Sequence, residues 1–208
     1  GPPTGPSVAA TTYKTTLTID SENGSAWNSV MNLWNRDTWN YVSVPQPLQS
    51  RSTSVKLPAG KYYATAIYGG VSGLNSYLLT KSFTVSNKAQ TVHLAEKSAK
   101  EVAIKVSDNS TRVEHSAVWL SLPKDNMVGF AGGPHARTYV TTASLPGTML
   151  RTHVVLTKPG SSAVKPSPYQ YDLFKSWSHP LPASPTTTVK NDVPGADHSD
   201  GESSGHQR

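Results

Sequence analysis

Seven histidines are the first residues to weigh for chemistry: His93, His115, His135, His153, His179, His198 and His206. A metal-binding or catalytic histidine needs partners at a defined spacing. No His-Glu-x-x-His occurs, and no two histidines stand one helical turn apart. This pattern predicts structural or solvated side chains and no metal or cofactor, with His198 and His206 offering at most an adventitious metal contact. A serine nucleophile needs a sharp turn that exposes it, and the chain has no Gly-x-Ser-x-Gly elbow. Gly129-Phe-Ala-Gly-Gly133 is glycine-rich but lacks the Gly-Lys-Ser/Thr of a phosphate loop, so it reads as a mobile surface loop. The 13 acidic residues include no distinctive pair for glycoside chemistry. No catalytic residue is expected, and the chain reads as a non-enzyme.

Aromatic residues offer the other chemistry, which is stacking. Trp27, Trp34, Trp39 and Tyr41 cluster in one hairpin region. Exposed rings in a row form a platform for sugars or bases. Trp27, Trp39 and Tyr41 are the candidate ligand-stacking residues. Trp27 lies in the turn-rich Ser-Glu-Asn-Gly-Ser-Ala-Trp stretch and is expected to be exposed. Trp34 is expected in the core, with Trp34 and Trp39 placed to face each other across the hairpin.

Such side chains need strands to position them, and the composition suits strands. Charged residues make up 15 % of the chain, below the usual quarter. Ser, Thr, Gly and Pro take their place, which favours strands and turns over helices. The five Trp and nine Tyr argue for real cores. The net charge of +6 is spread without a run of three basic residues, so nucleic acid is not the expected partner. The absence of cysteine excludes disulfides and thiolate metal sites. No apolar run approaches the ~20 residues of a membrane span.

The stretch Leu57–Gly70 organises the chain. After a Pro58-Ala-Gly60 turn, Tyr62, Ala64, Ala66 and Tyr68 share one face, and Tyr63, Thr65 and Ile67 share the other. Large side chains on both faces predict a central strand. Around it, alternation predicts strands at 13–19, 29–34, 38–44, 53–57, 76–85 and 90–95. After Ser98 it restarts at 102–106, 116–122, 137–143, 149–156 and 169–174, with 123–133 read as a loop. The expected fold is all-β, with two consecutive Greek-key β-sandwich domains at 11–97 and 98–190. Residues 1–10 read as a linker or tag remnant, and 191–208 as a disordered tail.

The first half, with LPAGKYYATAIY after an extended run, resembles carboxypeptidase-regulatory or transthyretin-like sandwiches. The second half carries TMLRTHVVLTKPG and then SPYQYDLFKSW. It resembles the non-catalytic region that follows the protease domain in large secreted subtilisin-like peptidases of actinobacteria. There a Tyr-x-Tyr-Asp-Leu segment, here Tyr169, Tyr171, Asp172 and Leu173, follows a strand ending in Leu-x-x-Pro, here Leu156 and Pro159. The Gly-Thr-Ser-Met of a subtilisin-type nucleophile is absent. The resemblance implies a secreted, non-catalytic accessory module. Its partner would be the catalytic domain of a parent peptidase or an extracellular or cell-surface polymer. A free-standing glycan-binding or adhesion protein is the other expectation.

Overall fold

A computed structural model describes residues 9–22, 29–69, 75–158, 169–190 and 203–207. The described chain is built from fifteen strands and one short 3-10 turn. A three-stranded sheet has the order β4 (Ser52–Pro58), β1 (Thr12–Asp20), β7 (Gln90–Ala95). A seven-stranded sheet has the order β14 (Thr186–Val189), β8 (Ala99–Val106), β11 (Arg137–Thr141), β6 (Asn75–Val85), β5 (Gly60–Gly69), β2 (Val30–Asn35), β3 (Tyr41–Val42). A five-stranded sheet has the order β10 (Asn126–Gly132), β9 (Arg112–Leu122), β12 (Met149–Thr157), β13 (Tyr169–Ser178), β15 (Ser203–Gln207).

The seven-stranded sheet is the middle layer. On one face Met31, Leu33, Tyr62, Ala64, Ala66 and Leu79 pack against Leu17, Ile19, Leu57, Val92 and Leu94 of the three-stranded sheet. On the other face Trp34, Tyr63, Leu78, Val102 and Val140 pack against Val118, Leu120, Val128 and Leu150 of the five-stranded sheet. A smaller core joins Ile104 and Val189 to Val154, Leu156, Tyr171 and Leu173. A strand buried on both faces cannot alternate apolar with charged, so large apolar or aromatic side chains must appear on both. β5 follows this, with Thr65 as its one buried polar side chain. Tyr62 is 3 % exposed on one face and Tyr63 2 % on the other, which is the central strand its sequence predicts.

The all-β sandwich reading agrees with these layers, but the second sandwich is not separate. The middle sheet continues through Ser98. β11 pairs in parallel with β6, Tyr139 opposite Tyr77, and β8 and β14 extend the sheet beyond it. The apolar second face of β5 and β6 requires this, because only strands from the later half cover it. Three further differences follow from packing. Residues 126–132, read as loop, form β10. Lys124 and Asp125 take the left-handed region (φ 58° and 59°), and the chain reverses tightly there. Thr186–Val189 joins β8 as an edge strand, with its threonines favouring extended backbone. In the tail expected to be disordered, Ser203–Gln207 pairs with β13, while 191–202 and 208 lie outside the described residues. So do 1–8 of the expected linker.

The exposed edge of β2 is closed by a side chain. Gln46 accepts from the Met31 N–H (2.8 Å) and donates to the Met31 carbonyl (2.8 Å), standing in for a neighbouring strand. Across β5, β6 and β11, Tyr68, Tyr77 and Tyr139 stack at centroid distances of 5.0 and 5.1 Å, with planes 15° and 19° apart. The buried Glu96 carboxylate lies beside this ladder and accepts from the Glu22 N–H at 2.9 Å.

Burial pushes the Tyr63 phenol up to about 12. Burial and then Glu96 push Tyr77 up to about 12 and Tyr68 up in the same direction. The fold therefore prefers the neutral phenols. Their contribution to stability is complete below the unfolded value near 10 and is lost as pH rises through the raised folded values. A spectrophotometric hydroxide titration is expected to show Tyr63, Tyr68 and Tyr77 ionising only with cooperative unfolding, near or above pH 12. Smooth ionisation of all nine tyrosines near pH 10 in a folded protein would contradict it.

Candidate functional site

The hairpin aromatics do not form a platform. Trp34 is 3 % exposed and its cross-strand partner is Tyr41, edge-on at 5.8 Å and 76°, not Trp39. The turn explains the difference. Asn35 accepts the Asp37 and Thr38 N–H groups on its side chain, and Trp39 takes a left-handed φ of 56° with its N–H on the Asn35 carbonyl (2.7 Å). This swings the Trp39 ring onto Tyr63, edge-on at 5.8 Å, where it is half-buried against the second core. Tyr41 is 52 % exposed. Trp27 lies outside the described residues.

The described histidines are spread over several parts of the fold. Among the described residues no three His, Asp or Glu side chains are grouped to hold a metal ion. His93 pairs with Asp20 at 3.1 Å on the exposed surface. His179 Nδ1 lies 2.7 Å from Ser144 Oγ, a distance that suits a nucleophile and its base. However, Ser144 Oγ also accepts the Leu181 backbone N–H at 3.3 Å, and the His179 backbone N–H is held by the Thr148 carbonyl. The pair ties the segment after β13 back to residues 144–148, which is a structural task.

The outer face of the five-stranded sheet gathers the remaining side chains. Alternation sends Val118, Leu120, Leu150, Val154 and Leu173 into the core, so Ala117, Trp119, Arg151, His153, Asp172 and Phe174 point the other way. The registers set them in rows. One row reads Gly129, Trp119, Arg151, Ser176, and the next Ala131, Ala117, His153, Phe174. Gly129 is a glycine for a physical reason. A Cβ there would stand 2.5 Å from the Trp119 Cβ and 2.5 Å from the Val118 carbonyl. Gly129, Ala131 and Ala117 raise almost nothing above the backbone, so the ground beside Trp119 is low and open.

Beside it, the His153 and Phe174 rings stack at 4.1 Å and 3°. His153 Nε2 lies 3.3 Å from Asp172 Oδ1, and Gln170 donates to Asp172 Oδ2 at 3.2 Å. His115 meets His153 edge-on at 6.1 Å. At the far end Glu114 accepts from Thr157 (2.9 Å) and Arg112 (3.0 Å), which hold its carboxyl below the usual range. Glu114 is the extra residue of a bulge: the pairing steps from Val155–His115 to Leu156–Val113. The face thus offers flat rings beside donors and acceptors. It presents no activated nucleophile to His153 among the described contacts. The sequence reading passed over Trp119, Arg151 and Phe174, and weighed His153 only as a metal-binding or catalytic residue. The available signal was the off-core phase of three adjacent strands, visible only once their register is known.

The chain matches no protein-family profile and no curated protein sequence. Several solved structures show a weak likeness, among them the following three. A DUF3823 family protein from Parabacteroides merdae aligns at 12 % identity and a TM-score of 0.33, over 71 % of this chain and 92 % of that one. The shaft pilin SpaA from Lactobacillus rhamnosus GG aligns at 10 % and 0.30, over 86 % and 98 %. A putative adhesin from Bacteroides ovatus aligns at 11 % and 0.28, over 83 % and 88 %. Scores this low carry no inference about function. Among the described residues no helix is long and apolar enough to cross a membrane.

Gly129→Ala is expected to lower stability by about 1–3 kcal/mol through overpacking against Trp119. The check is a lower urea midpoint with an altered tryptophan emission. An unchanged midpoint would mean that β10 moves away from β9 without cost.

Proposed function

We propose that this chain is a non-catalytic β-sandwich module that holds an extracellular or cell-surface polymer, with the outer face of the five-stranded sheet as its holding face. The observation that supports this is the juxtaposition of the Trp119 ring and the His153–Phe174 stack with Arg151, Asp172 and Gln170 in adjoining rows. A sugar ring presents a flat apolar face and a rim of hydroxyls, and this surface matches both. The polymer class proposed is therefore glycan.

The finer role, an accessory module of a secreted serine peptidase, rests on the resemblance of TMLRTHVVLTKPG and SPYQYDLFKSW. Those segments supply β12 and β13, and Arg151, His153, Asp172 and Phe174 are their outward residues. In that role the module presents polymer-bound substrate to a catalytic domain. The hairpin with Tyr41 is the competing site.

Binding to cell-wall polysaccharide is measured by pull-down and by tryptophan fluorescence with soluble fragments. Trp119→Ala is expected to weaken binding at least tenfold, about 1.4 kcal/mol, with circular dichroism unchanged and Tyr41→Ala binding as wild type. Loss of binding in Tyr41→Ala alone would move the site to the hairpin. No binding to any glycan would remove the polymer reading.

A further inference from the structure

A cavity of about 490 Å³ lies between β8, the start of β11, and β9 with β12. Its apolar wall includes Ile104, Val106, Val113, Val154 and Leu156. Ser116 also lines it. That side chain is 5 % exposed, and its hydroxyl has no hydrogen-bond partner. A buried hydroxyl without a partner costs roughly 1–3 kcal/mol, and of the five such side chains among the described residues Ser116 is the one that borders this cavity.

The backbone of β8 makes the same demand. Its pairing with β11 ends at Val102 opposite Thr138. In that register Ile104 would next meet Ala136. Instead the Ala136 N–H turns to the Gly133 carbonyl (3.2 Å) and the His135 N–H to the Val113 carbonyl (3.0 Å). The Ala103 and Ser107 N–H groups point the opposite way, to Pro185 and Val189 on the β14 side. Alternation therefore aims the N–H and C=O of Ile104 and Val106 at the side β11 has left. Both Ile104 and its neighbours Ala103 and Lys105 line the cavity, so it reaches through the plane of the sheet.

We infer that this slot is a peptide-binding site: an extended segment of a partner polypeptide adds there as a short strand against Ile104–Val106, with a polar side chain on Ser116. Only a peptide backbone carries alternating donors and acceptors at the strand repeat. The volume suits three or four residues with small or aliphatic side chains. A fatty acid would fill the apolar wall but leave the edge of β8 unpaired.

The test is an amide NMR titration of the full chain with Ac-Val-Ser-Val-Ser-Val-NH2. The same peptide with N-methylated amides and octanoate serve as controls. Saturable shifts at Ile104, Val106 and Ser116 are expected at millimolar peptide, with hydrogen exchange of the Ile104 and Val106 amides slowed about tenfold. The N-methylated peptide and octanoate should leave these amides unmoved. Ser116→Ala should weaken binding severalfold, and Ser116→Leu, which fills the slot, should abolish it while the spectrum stays folded. Equal binding of the N-methylated peptide, a response to octanoate alone, or no shift with any probe would overturn the inference.

Discussion

The structure depends on one constraint: its middle sheet is buried on both faces at its centre, around β5 and the adjoining Leu78–Thr80 of β6. A sheet covered on one side alternates apolar and polar, and its strands can be read singly. A sheet covered twice has no polar face, so every side chain of β5 must suit one core or the other. Tyr62 and Tyr63 show how tyrosine meets this. Tyr62 buries its ring on one face and delivers its hydroxyl to the Pro58 carbonyl at 2.8 Å. Tyr63 buries its ring on the other and takes the Trp39 ring edge-on. Alanines on the same face, between Tyr62 and Tyr68, keep the three-stranded layer close, since Ala64 and Ala66 face Leu17, Leu57 and their neighbours. The same burial forces the later half of the chain onto the sheet of the earlier half. Leu78 and Trp34 would otherwise face water, and Val118, Leu120 and Leu150 are what cover them.

Most of the strands were legible. The two-sided pattern of β5, the alternation of β6 and the runs 116–122 and 149–156 all correspond to strands, because period-two alternation is local. What depended on partners was not legible. Residues 126–132 look like loop because glycine is a turn residue in isolation. Gly129 is there because Trp119 on the next strand leaves no room for a Cβ. Thr186–Val189 looks like a polar tail because an edge strand need not be apolar. The continuity of the middle sheet was hidden for a related reason. Parallel pairing of β11 with β6 joins residues some sixty positions apart, and nothing in either segment marks the other.

The site was less legible than the fold. Tryptophan in a hairpin is a sound signal for a platform, but Trp34 and Trp39 are consumed by the second core. The left-handed backbone at Trp39, fixed by the Asn35 side chain, decides this and cannot be read from residue spacing. Conversely, Trp119 sits in a run, Ser-Ala-Val-Trp-Leu-Ser-Leu, that reads as pure core. Its phase places it outside, between Val118 and Leu120 inside. The histidines were read by their spacing alone, yet His153 acquires a stacking partner and a carboxylate from β13. Such a cluster is assembled across strands, so it exists in the register and not in the sequence.

That assembly bears on how a holding face performs. Each outward residue is flanked along its strand by core residues: Trp119 by Val118 and Leu120, His153 by Thr152 and Val154, Asp172 by Tyr171 and Leu173. The packing that stabilises the fold therefore also fixes where the rings stand, and a ligand has little backbone left to order. The bulge at Glu114 marks the end of this face. It is anchored by Thr157 and Arg112, and it shifts the phase of β9 so that Val113, two residues from the outward His115, turns to the core opposite Leu156. The slot beside β8 follows a different logic. The vacated side of β8 and the Ser116 hydroxyl are places where packing stops short, so the strand proposed to bind there would complete the sheet and not merely rest on it. As proposed, recognition divides between rings and polar groups on a rigid face and backbone at an unfinished edge, and each needs the doubly covered middle sheet to hold its strands in register.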